Sequence, residues 1–151
     1  MLRFEEWLNE LFSQSNPFNR YTNRNNVQYE FSTAEGKRAT VVFLINNFNF
    51  DFISKKTVNG WELFFEVDGQ MHVTGKGETF MVLATVVQII KDFIEKNKPQ
   101  VLVFTADKGD RSRVDLYETM IKKLVRLTDF AYNIPQDRNS PNQEFVLYIP
   151  Q

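Results

Sequence analysis

Few side chains of this chain are suited to acid–base chemistry near neutral pH. His72 is the only histidine, and imidazole titrates closer to neutrality than any other side chain, which makes His72 an acid or base candidate. Glu30, Glu62 and Glu66 lie in segments with the alternating pattern of strands and are carboxylate candidates for a general base. A structural or exposed histidine, and carboxylates that merely face solvent on a half-buried sheet, are the other interpretations.

A basic cluster follows a short apolar run, VLVFTAD, at positions 101–107. Lys108, Arg111 and Arg113 stand where a helix is expected to begin, and basic side chains beside free helix amides can hold phosphate or an RNA backbone. Asp107 and Asp110 interleave with them, so a solvated loop held by salt bridges is the competing interpretation.

Composition excludes several classes of chemistry. The 151 residues contain no cysteine, which removes disulfides, thiolate metal sites and thiol nucleophiles. With one histidine, a zinc site built from protein ligands is not expected, and we predict no metal. The formal charge of −1 provides no general attraction to nucleic acid, and no apolar run reaches the ~18 residues of a membrane span. We therefore expect a cytoplasmic protein that binds neither nucleic acid nor membrane.

The length of the chain suits one domain, predicted over residues 1–151. Apolar residues recur at helical spacing in residues 1–15, which predicts an amphipathic N-terminal helix. Residues 16–26 are rich in asparagine and lack periodicity, so they are predicted to form a loop. Residues 27–151 are predicted to form a sheet with two packed helices.

Strand and helix patterns then alternate along the chain. A period of two predicts antiparallel strands at 27–33, 39–45, 61–67 and 70–73, with turns at Ala34–Lys37, Asn59-Gly60 and Asp68-Gly69. The run TFMVLATVVQIIKDFIEKN is too long for an ordinary strand and is apolar on most sides, which predicts a buried helix. A strand from Val101, a helix from about Arg111 and two final strands complete an α+β fold with a mixed, mostly antiparallel sheet flanked by helices, in the order α-β-β-β-β-α-β-α-β-β.

The run from His72 through Tyr117 contains a strand, a glycine turn, a buried helix, a second strand and a Leu-Tyr pair on the next helix. In this order of elements and these short motifs it resembles the coenzyme-binding half of GNAT-type acetyltransferases. It resembles most closely the uncharacterised GNAT-like proteins of bacteriophages. The resemblance implies a GNAT-like fold and acetyl-CoA as the cofactor.

In that family a Gln/Arg-x-x-Gly-x-Gly/Ala turn binds the coenzyme pyrophosphate through backbone amides. The matching residues here run from His72 to Gly77, so the resemblance assigns Gly75, Lys76 and Gly77 to the cofactor, with Arg113 as a further basic contact. Amides at a helix start favour an anion, and glycine lets phosphate approach closely. A flexible strand-to-helix turn without a ligand is the alternative.

The resemblance also implies catalytic roles. Tyr117 stands where the family tyrosine protonates the departing thiolate, and Glu66 and His72 are the candidates for the acid–base path to the acceptor amine. A phenol is protonated at neutral pH and can therefore act as a donor. Tyr117 also lies on the apolar stripe of its helix, so simple packing is the alternative.

Two departures from the family pattern count against catalysis. The family inserts two helices between its first two strands, whereas here the turn Ala34–Lys37 joins them. Thr128-Asp129-Phe130 stands where the family has Gly-Phe. The leading hypothesis is a GNAT-like phage accessory protein without robust catalysis that binds a protein partner or a small anionic ligand. An active acyl-CoA-dependent N-acetyltransferase is the alternative.

Overall fold

A computed structural model describes residues 16–33, 35–48, 58–67 and 76–150. The predicted N-terminal helix (1–15) and the predicted strand at 70–73 lie outside the described residues. The described elements are β1 (Phe18–Thr22), β2 (Asn26–Ser32), β3 (Arg38–Phe48), β4 (Val58–Val67), α1 (Lys76–Asn97), β5 (Val101–Asp107), α2 (Arg111–Leu127), β6 (Ala131–Asn133) and β7 (Asn142–Tyr148).

The strands form one seven-stranded sheet in the order β1-β2-β3-β4-β5-β7-β6. β1 pairs with β2, β5 with β7 and β6 with β7 in antiparallel fashion. β4 and β5 pair in parallel, with Trp61 opposite Leu102 and Glu62 opposite Val103, and the connection between them includes α1, as a parallel crossover requires. The predicted α+β class with a mixed, mostly antiparallel sheet is confirmed.

The predicted loop at 16–26 is wrong, because it contains β1. Phe18 to Thr22 pair with Val27 to Phe31 across a turn in which the Asn23 amide donates to the Asn26 carbonyl at 2.9 Å. β1 is an edge strand of the described sheet, with a neighbouring strand on one side only. Such a strand is more exposed to solvent, so polar residues are tolerated and the apolar alternation is weak. The ring of Phe18 still meets Tyr29 edge-on, with centroids 5.6 Å apart.

The chain packs as two compact units. The first takes its described residues from 16–43 and 64–98. Its core joins α1 to the sheet: the rings of Phe43 and Phe93 stack with centroids 3.9 Å apart, and Tyr29 meets Phe43 edge-on at 5.8 Å. The prediction that this helix is buried on most sides is confirmed. No more than 2% of the surface is exposed in five of its apolar residues, Val82, Val86, Val87, Ile89 and Ile90.

The second unit takes its described residues from 44–63 and 99–150. One face of its sheet packs against α2 through Phe104, Phe145 and Tyr117. The other face carries the buried residues Val101, Val103 and Val146, against which Phe48 and Tyr148 pack. β5 is thus buried on both faces, which explains its continuous apolar sequence. The prediction of a single domain stays a prediction.

Candidate functional site

The loop between β5 and α2 is shaped by its own hydrogen bonds. The Asp107 carboxylate accepts from the Gly109 amide at 2.7 Å, and the Asp107 carbonyl accepts from the Asp110 amide at 3.0 Å. Asp110 is the N-cap of α2: its carboxylate accepts from the Arg113 amide at 3.1 Å, and its carbonyl accepts from the Val114 amide at 3.0 Å. An anionic side chain therefore already occupies the helix start, where a phosphate would otherwise be stabilised.

Arg113 is enclosed beside this cap. Its side chain is 14% exposed, its Nε lies 3.7 Å from Asp110 Oδ2, and its guanidinium carbon lies 6.0 Å from the centre of the Tyr117 ring. Lys108 donates through Nζ to the Asp137 carbonyl and through its amide to the Pro141 carbonyl. The structure therefore favours a loop held by its own contacts over a free phosphate site: Arg113 pairs with Asp110, and Lys108 bonds to backbone carbonyls.

Gln143, a residue of β7, bonds to the segment that precedes this strand. This side chain is 8% exposed, and its Nε2 donates to the Pro135 carbonyl at 2.7 Å and to the Glu144 carbonyl at 3.1 Å. A buried amide that bonds to backbone fixes the path of a chain that has no regular structure of its own. The Pro135 region of the segment before β7 is therefore anchored to that strand.

Tyr117 lies on α2 with its ring enclosed by aromatic neighbours. It is 7% exposed and meets Phe104 and Phe145 edge-on, with centroid distances of 5.5 and 5.8 Å. Burial raises the pKa of the Tyr117 phenol; the Arg113 guanidinium opposes this rise and the Asp110 carboxylate adds to it. The phenol is protonated at neutral pH, and it is a weaker acid than an exposed tyrosine.

The predicted cofactor turn falls at the start of α1. Lys76 and Gly77 lie in the first turn of this 22-residue helix, and not in a loop before it. Gly75 and His72 lie outside the described residues, so their roles stay predictions. The first amides of a helix have no partner within the helix, and the assignment of Lys76 and Gly77 to a cofactor stays a prediction.

The structure brings together two of the predicted site residues, Arg113 and Tyr117. Glu66 belongs to the first unit, where it is an exposed residue of β4 between the buried Phe65 and Val67. Of the other carboxylate candidates, Glu62 accepts from Asn46, and Glu30 accepts from Gln28 at 2.8 Å and from Arg38. The surroundings of Glu30, Glu62 and Glu66 therefore do not single out one of them as a general base.

A buried polar network in the first unit was not predicted. The Tyr29 hydroxyl donates to Asp92 Oδ2 at 2.7 Å and accepts from Arg20 Nε at 3.1 Å, and Arg20 also donates to Asn97 Oδ1 at 2.8 Å. Burial, together with the Asp92 carboxylate, raises the pKa of Tyr29 well above its ordinary value. Burial opposes ionisation of Asp92, but donors from Tyr29 and Lys96 outweigh it and lower the Asp92 pKa. Arg20 and Asn97 are 77 residues apart, and no local sequence signal joins them.

Two structural findings concern the described residues as a set. Within them, no group of three or more histidine, cysteine, aspartate or glutamate side chains could hold a metal ion. Neither described helix is long and apolar enough to cross a membrane.

The fold is that of N-acetyltransferases. A spermidine N-acetyltransferase, SpeG, from Vibrio cholerae, solved as a single-residue mutant, is similar to this chain with a TM-score of 0.50 and 10% identity, over 83% of this chain and 67% of the other. The N-acetyltransferase PseH of Campylobacter jejuni has a TM-score of 0.47 and 15% identity, over 83% of this chain and 70% of the other. At these identities the likeness shows the fold alone.

The chain itself belongs to a family of unknown function, DUF6934, whose sequence model matches residues 14–147. A comparison with curated proteins found no match.

Proposed function

We propose that this protein is a GNAT-fold binding protein that holds a small anionic ligand of the coenzyme A type at the start of α1 and does not catalyse acetyl transfer at an appreciable rate. The fold and the start of the 22-residue helix at Lys76 support this proposal. A role as a bacteriophage accessory protein, and binding of a protein partner, belong to the same proposal and rest on the sequence resemblance.

The start of α1 supports an anion because of its backbone. Free amides and the aligned peptide dipoles of a long helix give its first turn a partial positive charge. Gly77 has no side chain to keep a phosphate away from these amides. Lys76 belongs to this first turn and carries a full positive charge. By contrast, Asp110 already caps the start of α2, which disfavours an anion at that helix.

The enclosure of Tyr117 is the observation that favours binding over catalysis. With 7% of its surface exposed and a raised pKa, its phenol gives up a proton less readily than a free tyrosine. General-acid catalysis works best when the pKa of the donor is close to the working pH. A tyrosine in this state would protonate a departing thiolate slowly.

An active acyl-CoA-dependent N-acetyltransferase is the second candidate function. It is favoured by the protonated state of Tyr117, since a general acid must carry its proton at neutral pH. The structurally similar SpeG is named a spermidine N-acetyltransferase.

Calorimetry with acetyl-CoA, followed by an assay for released thiol with spermidine and a set of primary amines, separates the candidates. The binding proposal expects saturable binding without thiol release above the uncatalysed rate. Thiol release that depends on enzyme concentration would establish the enzyme instead. Absence of binding at millimolar acetyl-CoA would exclude both.

A charge-reversing pair of variants tests the place of binding. Lys76→Glu should weaken acetyl-CoA binding at least about tenfold, because it replaces a favourable charge beside the phosphates with an unfavourable one. Arg24→Glu makes the same change in net charge at an exposed residue and should leave affinity within about twofold. Equal weakening by both variants would show a general charge effect and would contradict a site at the start of α1.

A further inference from the structure

The outer edge of β1 is a surface that the proposed function does not use. β1 and β6 are the end strands of the sheet, and within the described part of the chain no strand pairs with the outer side of either. β6 has three residues, whereas β1 has five. A very short edge strand is one way in which proteins avoid further pairing, so β1 is the more available of the two edges.

The register of the β1–β2 hairpin shows which backbone groups point outward. The Asn23 amide donates to the Asn26 carbonyl at 2.9 Å, so these two residues form a hydrogen-bonded pair at the turn. Hydrogen-bonded and non-hydrogen-bonded pairs alternate along an antiparallel ladder. In steps of two from Asn23, the backbone groups of Tyr21 and Asn19 therefore face β2. The residues whose N–H and C=O groups face away from the sheet are Phe18, Arg20 and Thr22.

The side chain of Arg20 does not protect this edge. Charged side chains on an edge strand commonly keep other strands away, and Arg20 is the one charged residue of β1. Its guanidinium is turned back over the sheet, where it donates to the Tyr29 hydroxyl at 3.1 Å and to Asn97 Oδ1 at 2.8 Å. The Tyr29 hydroxyl in turn donates to the Asp92 carboxylate, whose charge offsets that of Arg20. The outer edge of β1 is therefore left without a repelling charge.

From this edge we infer that β1 binds β1 of a second copy of the protein, antiparallel to it and about a two-fold axis at Arg20. In this register Phe18 lies opposite Thr22 of the second copy, and the two Arg20 backbones lie opposite each other. The edge is self-complementary, because this arrangement sets outward N–H groups against outward C=O groups on both strands. The two Arg20 side chains stay apart, since each is held over its own sheet. Tyr21, which is 52% exposed, comes to lie beside Asn19 of the second copy.

A second copy is the occupant that this edge fits best. Its β1 is already extended and held by β2, so pairing orders little new chain, whereas a free peptide must first be ordered. The contact area of one five-residue strand is small, so the dimer is expected to be reversible and dependent on concentration.

Sedimentation equilibrium of the full-length protein between about 10 μM and 0.5 mM tests the dimer. We expect a reversible equilibrium between monomer and dimer, because a two-fold contact closes on itself and leaves no further β1 edge. A protein that stays monomeric at all these concentrations, or that grows into larger assemblies, would overturn the proposal.

Amide hydrogen exchange of the ¹⁵N-labelled protein locates the contact. Exchange at the outward amides of Phe18, Arg20 and Thr22 should slow about fivefold or more when most of the protein is dimeric. Exchange at Asn19 and Tyr21 should not change, because their amides face β2 at every concentration. Protection of the outward amides already in the monomer would show that the chain covers its own edge. That result, or outward amides that do not respond to dimerisation, would overturn the proposal.

Two substitutions at Thr22 form a matched pair. Thr22 is exposed and its amide faces outward, so Thr22→Pro removes a donor from the contact without removing a bond within the sheet. It should raise the dissociation constant of the dimer about tenfold or more, because the two-fold axis removes this donor twice. Thr22→Val keeps the amide and should stay within about threefold of the natural protein. Equal effects of the two variants would contradict backbone pairing, and the exchange measurement decides the proposal even if Thr22→Pro does not fold.

Discussion

The two units each bury one tyrosine against a helix, and the two tyrosines are held in different ways. Tyr29 has none of its surface exposed, and its hydroxyl both donates to Asp92 and accepts from Arg20. Tyr117 is 7% exposed and is held by edge-on contacts of its ring with Phe104 and Phe145. The hydroxyl of Tyr29 is therefore part of the structure, whereas the described contacts of Tyr117 involve its ring.

The pKa values of both tyrosines are raised, but the causes differ. For Tyr29 the rise comes from burial and from the neighbouring Asp92 carboxylate, with which the phenol shares a hydrogen bond. For Tyr117 it comes from burial, with Arg113 acting in the opposite direction. A perturbed pKa is often taken to mark a functional residue, but a hydroxyl whose bonds are used within the fold cannot also serve a substrate. Of the two tyrosines, Tyr117 keeps the hydroxyl that chemistry could use.

Removal of the Tyr117 ring should cause the greatest loss of stability. Tyr117→Ala should lower the free energy of unfolding by about 3–5 kcal/mol, because it leaves a cavity between two aromatic rings. Tyr117→Phe keeps the ring and should change the free energy by less than about 0.5 kcal/mol. Urea denaturation measures both. A large loss in Tyr117→Phe would mean that the hydroxyl has a structural role and would remove the contrast with Tyr29.

The next effect tests the hydroxyl of Tyr29. Tyr29→Phe should lower the free energy of unfolding by about 1.5–3 kcal/mol, because it removes a hydrogen bond to an ionised carboxylate and leaves Arg20 with one partner fewer. Tyr117→Phe is the matched control, since it deletes the same atom from a buried tyrosine on the other unit. Equal effects of the two Phe variants would contradict the distinction between a bonded and an unbonded hydroxyl.

The elements that follow local rules could be predicted from the sequence. The helix α1 was recognised because its apolar run is too long for a strand, and α2 because polar residues interrupt a regular apolar stripe. β1 was missed because an edge strand carries little alternation. What holds it in place is a set of distant contacts, such as that of Arg20 with Asn97, which the sequence does not reveal.

The candidate site is less predictable for the same reason. The resemblance assigned Tyr117 a role, but its enclosure depends on Phe104 from β5 and Phe145 from β7, which meet it only in the folded chain. Asp110 as the cap of α2 could have been predicted, since an aspartate just before a helical stripe is a standard start signal.

The last prediction concerns the pH dependence of the stability that the Tyr29 hydroxyl provides. The raised pKa of Tyr29 means that its contribution to stability is fully present below the unfolded value of 10.0 and is lost as pH rises above it toward the folded pKa. The lowered pKa of Asp92 means that its contribution is present above the unfolded value of 3.8 and is lost as pH falls below it toward the folded pKa. The difference in unfolding free energy between the natural protein and Tyr29→Phe should therefore be constant between these limits and shrink on both sides.

Urea denaturation across pH measures this difference, and Tyr117→Phe should show no decline on the acid side, because no carboxylate bonds to its hydroxyl among the described residues. A Tyr29→Phe difference that stays flat in acid would mean that Asp92 does not depend on the phenol for its ionisation.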